Sequence, residues 1–235
     1  DFTVTNGGTP TITGSGSSRT ITVTASGQGA VTIAPSGTFG INDIAGNQAT
    51  TAGGTDRSVT YDTVAPTLTV VQAAGQADPT NNSSIQFTLS ANETIDASTV
   101  ATGDFTATNG TVASVSGSGT SFTVTVTATS QATVTLGLAG GFSVSDVAGN
   151  AATTAGGADR SVTYDATAPT LTLAQAAGQA DPANNSSIAF TLTGSETLDG
   201  ATITASDFTV TNGGTPTITG SGSSRTITVV ASGQG

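Results

Sequence analysis

The feature of this sequence that most constrains its fold is an internal repeat with a period of 103 residues. The stretch that begins at Asp1, DFTVTNGGTPTITGSGSSRTITVTASGQG, returns at Asp207 with one change, Thr24 to Val230. A more diverged copy, DFTATNGTVASVSGSGTSFTVTVTATSQA, begins midway at Asp104. A period of this length is that of a whole small domain, whereas the rungs of a β-solenoid need a period of tens of residues. The sequence therefore predicts domains in tandem.

A second repeated motif marks where one domain joins the next. DRSVTYDTVAPTLT begins at Asp56, and DRSVTYDATAPTLT begins at Asp159. Boundaries at this Tyr-Asp/Ala-Pro motif make residues 63–165 one complete repeat. Residues 1–62 are then the C-terminal part of a repeat (strands C–G), and residues 166–235 are the N-terminal part of another (strands A–E). The chain reads as an excerpt from a longer array, and the alternative is that neighbouring chains complete each other's broken repeats.

Strand signals recur about every ten residues within the complete repeat. The run SFTVTVTAT places Phe122, Val124 and Val126 on one face and threonines on the other, which is the period-2 pattern of a half-buried strand. The predicted strands, in order, are APTLTVV, SIQFTLS, DFTAT, TVASVS, SFTVTVTAT, ATVTLGL and RSVTYD. The segment IDAST can make one helical turn at most. Seven short antiparallel strands in this length predict an all-β chain of tandem immunoglobulin-like β-sandwich domains in an elongated array.

Composition excludes several classes of function. The chain has 15 acidic residues against four arginines and no lysine, and its net charge is −11, so we expect no nucleic-acid partner. It has no cysteine or histidine, which excludes disulfides, thiolate zinc sites and the commonest general bases. Two nearby carboxylates such as Glu93 and Asp96 could serve a glycosidase, yet the chain has no tryptophan for a sugar platform. We therefore do not expect the chain to be an enzyme. Its sequence has no apolar run long enough to insert into a membrane.

The acidic residues are placed by the repeat. All 15 fall on seven repeat positions. In a sandwich, the B–C and F–G loops lie at the pole where the preceding linker enters, so we expect Glu93 and Asp96 to meet Asp146 and the linker residue Asp62 there. The candidate metal ligands are Asp62, Glu93, Asp96 and Asp146 at one junction, Asp165, Glu196 and Asp199 at the next, and Asp43, which is the equivalent of Asp146.

Clustered carboxylates repel one another unless a cation or a proton neutralises them. Calcium takes six to eight oxygen ligands and needs neither histidine nor thiolate, so Ca²⁺ is the predicted cofactor. The alternative is that each acid only shapes or solvates a turn, since Asp and Asn are ordinary turn formers. We favour that alternative for Asp78 and Asp104, and a surface ion pair for Asp159, which Arg160 follows.

The complete repeat resembles a known family. The strand-turn DFTATNGTV, the loop DVAGN and the Asp-x-x-Ala-Pro junction are similar to the bacterial immunoglobulin-like repeats of giant surface adhesins and biofilm-associated proteins. Family members usually carry FSE-V-GF where this chain has LSANETIDAST, so its B–C loop diverges. The resemblance implies a secreted or cell-surface protein whose domains form a stalk, often stiffened by calcium, with adhesion carried elsewhere.

We therefore predict a stalk segment of a bacterial surface adhesin or extracellular fibre, with calcium at the domain junctions. Its partners would be the neighbouring repeats of the same chain and other copies of the chain in a fibre. Two alternatives remain open at this stage. One is a self-assembling filament subunit whose incomplete end repeats pair between chains. The other is an adhesion module that binds a carbohydrate or a cell directly.

Overall fold

Alternating runs rich in threonine and valine give the chain an all-β architecture. The computed structural model describes residues 1–233, whose regular elements are strands and short 3-10 helices. Two compact units are present, Asp1–Ala166 and a second that begins at Thr167. The 3-10 helices are Ala97–Thr99, Thr102–Asp104, Gly200–Thr202 and Ala205–Asp207.

The first unit begins with seven short strands. They are β1 (Phe2–Thr5), β2 (Thr11–Thr13), β3 (Thr20–Thr22), β4 (Gly29–Pro35), β5 (Ile41–Asn42), β6 (Gln48–Ala49) and β7 (Ser58–Tyr61). β1, β4 and β7 form an antiparallel sheet with β4 in the middle, in which Val4 pairs with Ile33 and Val31 with Val59. β2 pairs with β3, and β5 pairs with β6, as two separate ribbons.

The complete repeat of the first unit contains the next eight strands. They are β8 (Leu68–Gln72), β9 (Ser84–Ile95), β10 (Phe105–Thr108), β11 (Gly110–Ala128), β12 (Ala132–Leu138), β13 (Val144–Ser145), β14 (Ala151–Ala152) and β15 (Ser161–Tyr164). One antiparallel sheet has the order β8-β9-β11, and a second has the order β10-β12-β15.

The two sheets of the complete repeat enclose one core. In β9, Ile85, Phe87 and Leu89 are fully buried, and they lie opposite Val126, Val124 and Phe122 of β11. Val134 of β12 and Val162 of β15, also fully buried, belong to the same apolar cluster. Burial of each such side chain contributes about 1.5–3 kcal/mol to folding. The predicted β-sandwich and its period-2 pattern are confirmed.

Strand β11 is longer than either of the two strands predicted for its residues. It runs from Gly110 to Ala128, and an extended strand of this length would span about 60 Å. Yet the amide of Thr129 donates to the carbonyl of Asn109 at 3.0 Å, so the element folds back on itself. The return lies at Gly117 and Gly119, whose φ values are +138° and +66°. The turn predicted in SGSG thus joins two arms of one continuous ribbon.

The outer edge of β8 is covered by the chain that leads into β15. Gly156 forms a parallel bridge with Thr69: its amide donates to Leu68 at 2.8 Å, and its carbonyl accepts from Val70 at 2.9 Å. Arg160 donates from its guanidinium to the carbonyls of Ala155 and Gly156, which fixes this edge segment in place. A side chain on the next residue would not fit, because a Cβ on Gly157 would lie 1.9 Å from the carbonyl oxygen of Val70.

The described part of the second unit, residues 167–233, holds four strands in one sheet. They are β16 (Leu171–Gln175), β17 (Ser187–Gly194), β18 (Thr217–Thr219) and β19 (Ser224–Val230), in the order β16-β17-β19-β18. Phe190 of β17 pairs with Ile227 of β19. A small cluster of Leu192, Leu198 and Ile227 is buried. The guanidinium of Arg225 is buried beside it and donates to the carbonyl of Leu198 at 2.8 Å.

Candidate metal centre

Asp62 comes directly after β7 and begins the segment that leads into the complete repeat. Its carboxylate accepts a hydrogen bond from the amide of Val64 at 3.0 Å. This is the bond of an Asx turn, in which a short acidic side chain holds its own backbone two residues further on. The bond fixes the direction of the Asp62 carboxylate, which is half-buried.

Glu93 lies on strand β9, which continues beyond its predicted end at Ser90 and reaches Ile95. Glu93 follows the same odd-numbered alternation as Ile85, Phe87 and Leu89, so it belongs to the face of β9 that lines the core. An acidic residue in that series, near the end of the strand, is placed between the apolar interior and the pole. In the sequence, Glu93 is visible as an acidic residue within the apolar odd-numbered series of this strand.

Asp146 is the most deeply buried of the acidic groups, with 3% of its surface exposed. It follows β13 and forms an isolated antiparallel bridge with Ile95 of β9. The backbone amide of Asn150 donates to one carboxylate oxygen of Asp146 at 2.9 Å, and its side-chain amide donates to the other at 2.8 Å. The two hydrogen bonds from Asn150 therefore fix the orientation of the Asp146 carboxylate within the DVAGN loop.

These three residues form one group. Asp62, Glu93 and Asp146 each present a carboxylate oxygen, and the three oxygens lie within 4.8 Å of one another. They line an open cavity of about 510 Å³ together with Thr60, Thr94, Val147 and Ala148. None of these lining residues is basic, so no side chain of the cavity wall offsets the three carboxylates.

The surroundings shift the pKa values of Glu93, which is half-buried, and Asp146, which is buried, in opposite directions. Burial raises the pKa of Glu93, and the nearby charges of Asp62 and Asp146 raise it further. Burial also works against ionisation of Asp146, but the hydrogen bonds from the side chain and backbone of Asn150 outweigh it and lower the pKa of Asp146. Asn150 thus favours the ionised form of Asp146, whereas burial and the neighbouring carboxylates favour the protonated form of Glu93.

The arrangement has the chemistry of a hard-cation site. Each carboxylate oxygen has two lone pairs, so the oxygens of Asp146 can accept from Asn150 and still face an ion. Calcium is bound by carboxylates, backbone carbonyls and water in a flexible geometry. The residues present fit that ion, since the group is all oxygen, lies at an open cavity and brings three negative charges together.

The other candidate residues at this pole lie outside the group of three. Asp96 caps the 3-10 helix Ala97–Thr99: its carboxylate accepts from the amide of Ser98 at 3.0 Å and from its hydroxyl at 2.7 Å. Its backbone amide donates to Ser145 at 2.9 Å, which ties this turn to β13. The pattern Asp-Ala-Ser-Thr is typical of a helix cap, which agrees with the single helical turn predicted for IDAST.

Asp43 repeats the local geometry of Asp146 without its companions. Asn47 donates to the Asp43 carboxylate from its backbone at 2.8 Å and from its side chain at 2.9 Å. These hydrogen bonds lower the pKa of Asp43, and the residue is exposed. The DIAGN and DVAGN loops therefore form the same structure, whether or not other carboxylates lie nearby.

The ligands expected at the second junction belong to two different units. Asp165 lies in the first unit, where its backbone amide donates to Thr80 at 2.9 Å. Glu196 and Asp199 lie in the second unit, where Asp199 caps the 3-10 helix Gly200–Thr202 through the amide of Ala201. A metal site at this junction stays a prediction.

Comparison with known proteins identifies the complete repeat. Residues 62–164 match the family model of the bacterial Ig-like domain, and the β-sandwich of this stretch is consistent with that match. No curated protein and no solved structure matches the chain significantly. Across residues 1–233, no helix has both the length and the apolar character needed to span a membrane. Domains of this family are typically extracellular or surface-exposed structural or adhesion modules without enzymatic activity.

Proposed function

We propose that this chain is a segment of an extracellular stalk in which a calcium ion ties each Ig-like repeat to the linker that enters it. The observation that carries the proposal is the group of Asp62, Glu93 and Asp146, whose oxygens lie within 4.8 Å of one another. Asp62 comes from the end of the preceding repeat. Glu93 comes from strand β9 of the following repeat, and Asp146 comes from the loop after its strand β13. An ion held by all three would join the two repeats at their junction.

The stiffening would come from the linker. Asp62 is already held by the amide of Val64, and Ala65-Pro66 follows before β8 begins. Proline fixes its own φ and restricts the residue before it, so little freedom remains beyond residue 64. A calcium ion would neutralise Asp62 together with Glu93 and Asp146 at the pole. The repulsion between the linker and the pole would then be removed, and the linker would become a fixed connection between the two repeats.

The chemistry favours calcium over other ligands. No aromatic side chain lines the cavity, so a carbohydrate would have no ring on which to stack. Magnesium needs a strict octahedron at short distances, whereas calcium accepts six to eight oxygens in a flexible arrangement. Extracellular modules bind calcium with dissociation constants of about 10⁻⁴–10⁻³ M, so occupancy would follow the calcium concentration outside the cell.

Calcium titration of the full chain by calorimetry, together with thermal unfolding, tests the proposal. One-site binding at 100 times the dissociation constant stabilises a folded protein by about 2.7 kcal/mol. We expect calcium to raise the melting temperature of the native chain and to have a much smaller effect on Asp62→Asn. Asp56→Asn is the matched control, because it also removes one negative charge but from an exposed position outside the group.

Small-angle scattering then tests the mechanical part of the proposal. Calcium should lengthen the maximum dimension of the native chain relative to chelator, and Asp62→Asn should remove that difference. Equal calcium responses of Asp62→Asn and the native chain would overturn the site. Calcium binding without a change in dimension would leave the site but overturn the stiffened stalk.

A further inference from the structure

The first strand of the complete repeat is bonded along both of its edges. On one edge, β8 pairs antiparallel with β9, from Leu68 opposite Ala91 to Gln72 opposite Phe87. On the other edge lies the chain that leads into β15, and this chain runs parallel to β8. The strand by which the chain enters the repeat is therefore joined directly to the segment by which it leaves.

Backbone hydrogen bonds connect β8 to this exit segment. Gly156 donates to Leu68 at 2.8 Å and accepts from Val70 at 2.9 Å. The carbonyl of Asp159 accepts from the amide of Gln72 at 2.7 Å. Such bonds run from strand to strand, across the strand direction. Sliding β8 along its own axis would therefore strain all of them at the same time.

The exit segment is held a second time near the end of β15. Thr80, in the loop that follows β8, forms a parallel bridge with Tyr164. The amide of Thr80 donates to the carbonyl of Thr163, and its carbonyl accepts from the amide of Asp165, both at 2.9 Å. The carboxylate of Asp78 accepts from the amide of Thr163 at 2.9 Å. The end of β15 is thus fixed before the chain leaves the repeat.

The core shields this region from water. Leu68 and Val70 of β8 and Val162 of β15 are at most 2% exposed and belong to one apolar cluster. Thr80 is also buried. A hydrogen bond in surroundings of low dielectric is stronger than one in water, and water cannot readily replace either partner as the bond lengthens. The bonds between β8 and the exit segment are therefore well placed to resist a pull.

Tension along the chain loads these bonds in one particular way. Since β8 and β15 run in the same direction, the chain enters the repeat at one pole and leaves it at the other. A pull on residue 65 draws β8 toward the first pole, while a pull on residue 166 draws β15 toward the second. The two strands would have to slide past each other, so their bonds share the load and must break together.

From this geometry we propose that β8 and residues 156–165, with the loop residues Asp78 and Thr80, form a load-bearing clamp that keeps the repeat folded under tension. The clamp lies wholly within the complete repeat and needs neither calcium nor another copy of the chain. Calcium at the linker would oppose bending between repeats, whereas the clamp opposes extension of a folded repeat. The two properties are therefore separate and can be tested separately.

Force spectroscopy of the full chain in chelator tests the proposal. The chain has no cysteine, so a pair of introduced cysteines fixes the two points of attachment. Ala65→Cys with Ala166→Cys, both at exposed positions, pulls the repeat in the direction in which its own chain would pull it. Unfolding between these points releases about 300 Å of chain, which identifies the event. Forced unfolding reports the unfolding rate, so lifetimes at a fixed force can be compared directly.

A second pair of attachment points changes only the direction of the load. Ser118 is exposed in the turn of β11, and its neighbour Gly119 pairs with Ile95 at the end of β9. This end of β9 lies at the pole where β8 begins, so Ala65→Cys with Ser118→Cys pulls two strands apart from one end. The bonds then break one after another. We expect a lower unfolding force and a shorter lifetime than in the first direction, and equal forces in both directions would overturn the proposal.

Asp78→Ala separates the clamp from the general stability of the fold. The variant removes the acceptor of the Thr163 amide at an exposed position. In the first direction it should unfold about tenfold faster at the same force, since a hydrogen bond to a charged group is lost. In the second direction its rate should change much less. Asp181→Ala, at the equivalent position of the second unit, is the matched control and should leave both rates unchanged. An equal acceleration by Asp78→Ala in both directions would overturn the part assigned to Asp78.

Discussion

Ile95 and Asp146 pair in an isolated antiparallel bridge between the end of β9 and the chain that leaves β13. The two residues are 51 positions apart in the sequence, and both are buried. Glu93 lies two residues before Ile95, so the bridge places Glu93 close to the carboxylate of Asp146. The candidate metal centre is therefore positioned by backbone pairing, and its geometry depends little on the flexibility of either loop.

Replacing Glu93 with glutamine should have opposite effects with and without calcium. In chelator, Glu93→Gln removes a negative charge that lies beside Asp62 and Asp146, so we expect a higher melting temperature than that of the native chain. In calcium, the variant lacks one of the three proposed ligands and should gain much less from the ion. Thermal unfolding under both conditions measures the two effects. If the variant and the native chain respond alike to calcium, Glu93 is not a ligand.

The stability of the calcium-free chain should depend on pH through the same residue. The folded protein raises the pKa of Glu93 above its ordinary value of 4.5, so it holds the proton more tightly than the unfolded chain does. The stabilisation from this proton is complete below pH 4.5 and is lost as the pH rises through the folded pKa. Urea unfolding from pH 4 upward should therefore show a decline that Glu93→Gln lacks.

Asp146 contributes in the opposite direction over a lower range of pH. Its pKa in the folded protein lies below the ordinary value of 3.8, so its contribution is present above pH 3.8 and is lost as the pH falls through the folded pKa. Asp146→Asn should make the free energy of unfolding depend less on pH in the acid range.

The test of Glu93 lies at higher pH. If the free energy of unfolding falls equally with pH above 4.5 in Glu93→Gln and in the native chain, the assignment to Glu93 is contradicted.

The two DxAGN loops offer a matched test of the ligand geometry. Asn150 holds both carboxylate oxygens of Asp146, and Asn47 holds those of Asp43 in the same way. Loss of a hydrogen bond that orients a metal ligand typically weakens metal binding by about 10–100-fold. We therefore expect Asn150→Ala to weaken calcium binding by that order in a calorimetric titration. Asn47→Ala should leave the affinity unchanged, and an equal loss in both variants would contradict the assignment.

Alanine substitutions at Gly157 and Gly75 distinguish the free-energy cost of a steric clash from that of backbone strain. Both have positive φ, +114° and +85°, so alanine at either position should cost about 1–2 kcal/mol. A Cβ on Gly157 would also collide with Val70, whereas a Cβ on Gly75 would meet no atom within 4 Å. Overpacking of this kind adds about 1–3 kcal/mol, so chemical denaturation should show Gly157→Ala to be the less stable variant. Equal losses would mean that the edge segment moves away without cost.

Much of the sandwich could be predicted from its alternation. Ile85, Phe87 and Leu89 are buried as their period-2 pattern indicates, because a strand with one face on a core must place every second residue inside. The extension of β9 to Ile95 could not be read in the same way. Its last residues, Asn92, Glu93 and Thr94, are polar, and they remain in the strand because Ile95 pairs across to Asp146 and Gly119.

The site was harder to predict than the fold. Repeat topology indicated which loops meet at the pole, and Asp62, Glu93 and Asp146 do lie together. Sequence alone could not separate Asp96 from them, since an aspartate that caps a helical turn and one that faces a cation occupy the same kind of loop. The difference lies in the direction of the carboxylate, which in Asp96 is fixed by Ser98 two residues away.

The covered edge of β8 has a consequence for how such an array survives its own synthesis. Near-identical neighbours on one chain are prone to misassembly, and an unpaired strand edge is the surface on which wrong pairing and aggregation start. Gly156 and the bound guanidinium of Arg160 occupy that edge from within the same repeat. Within the complete repeat, the first strand β8 therefore offers no open edge to another strand. This repeat thus limits mispairing by closing the sheet with its own chain.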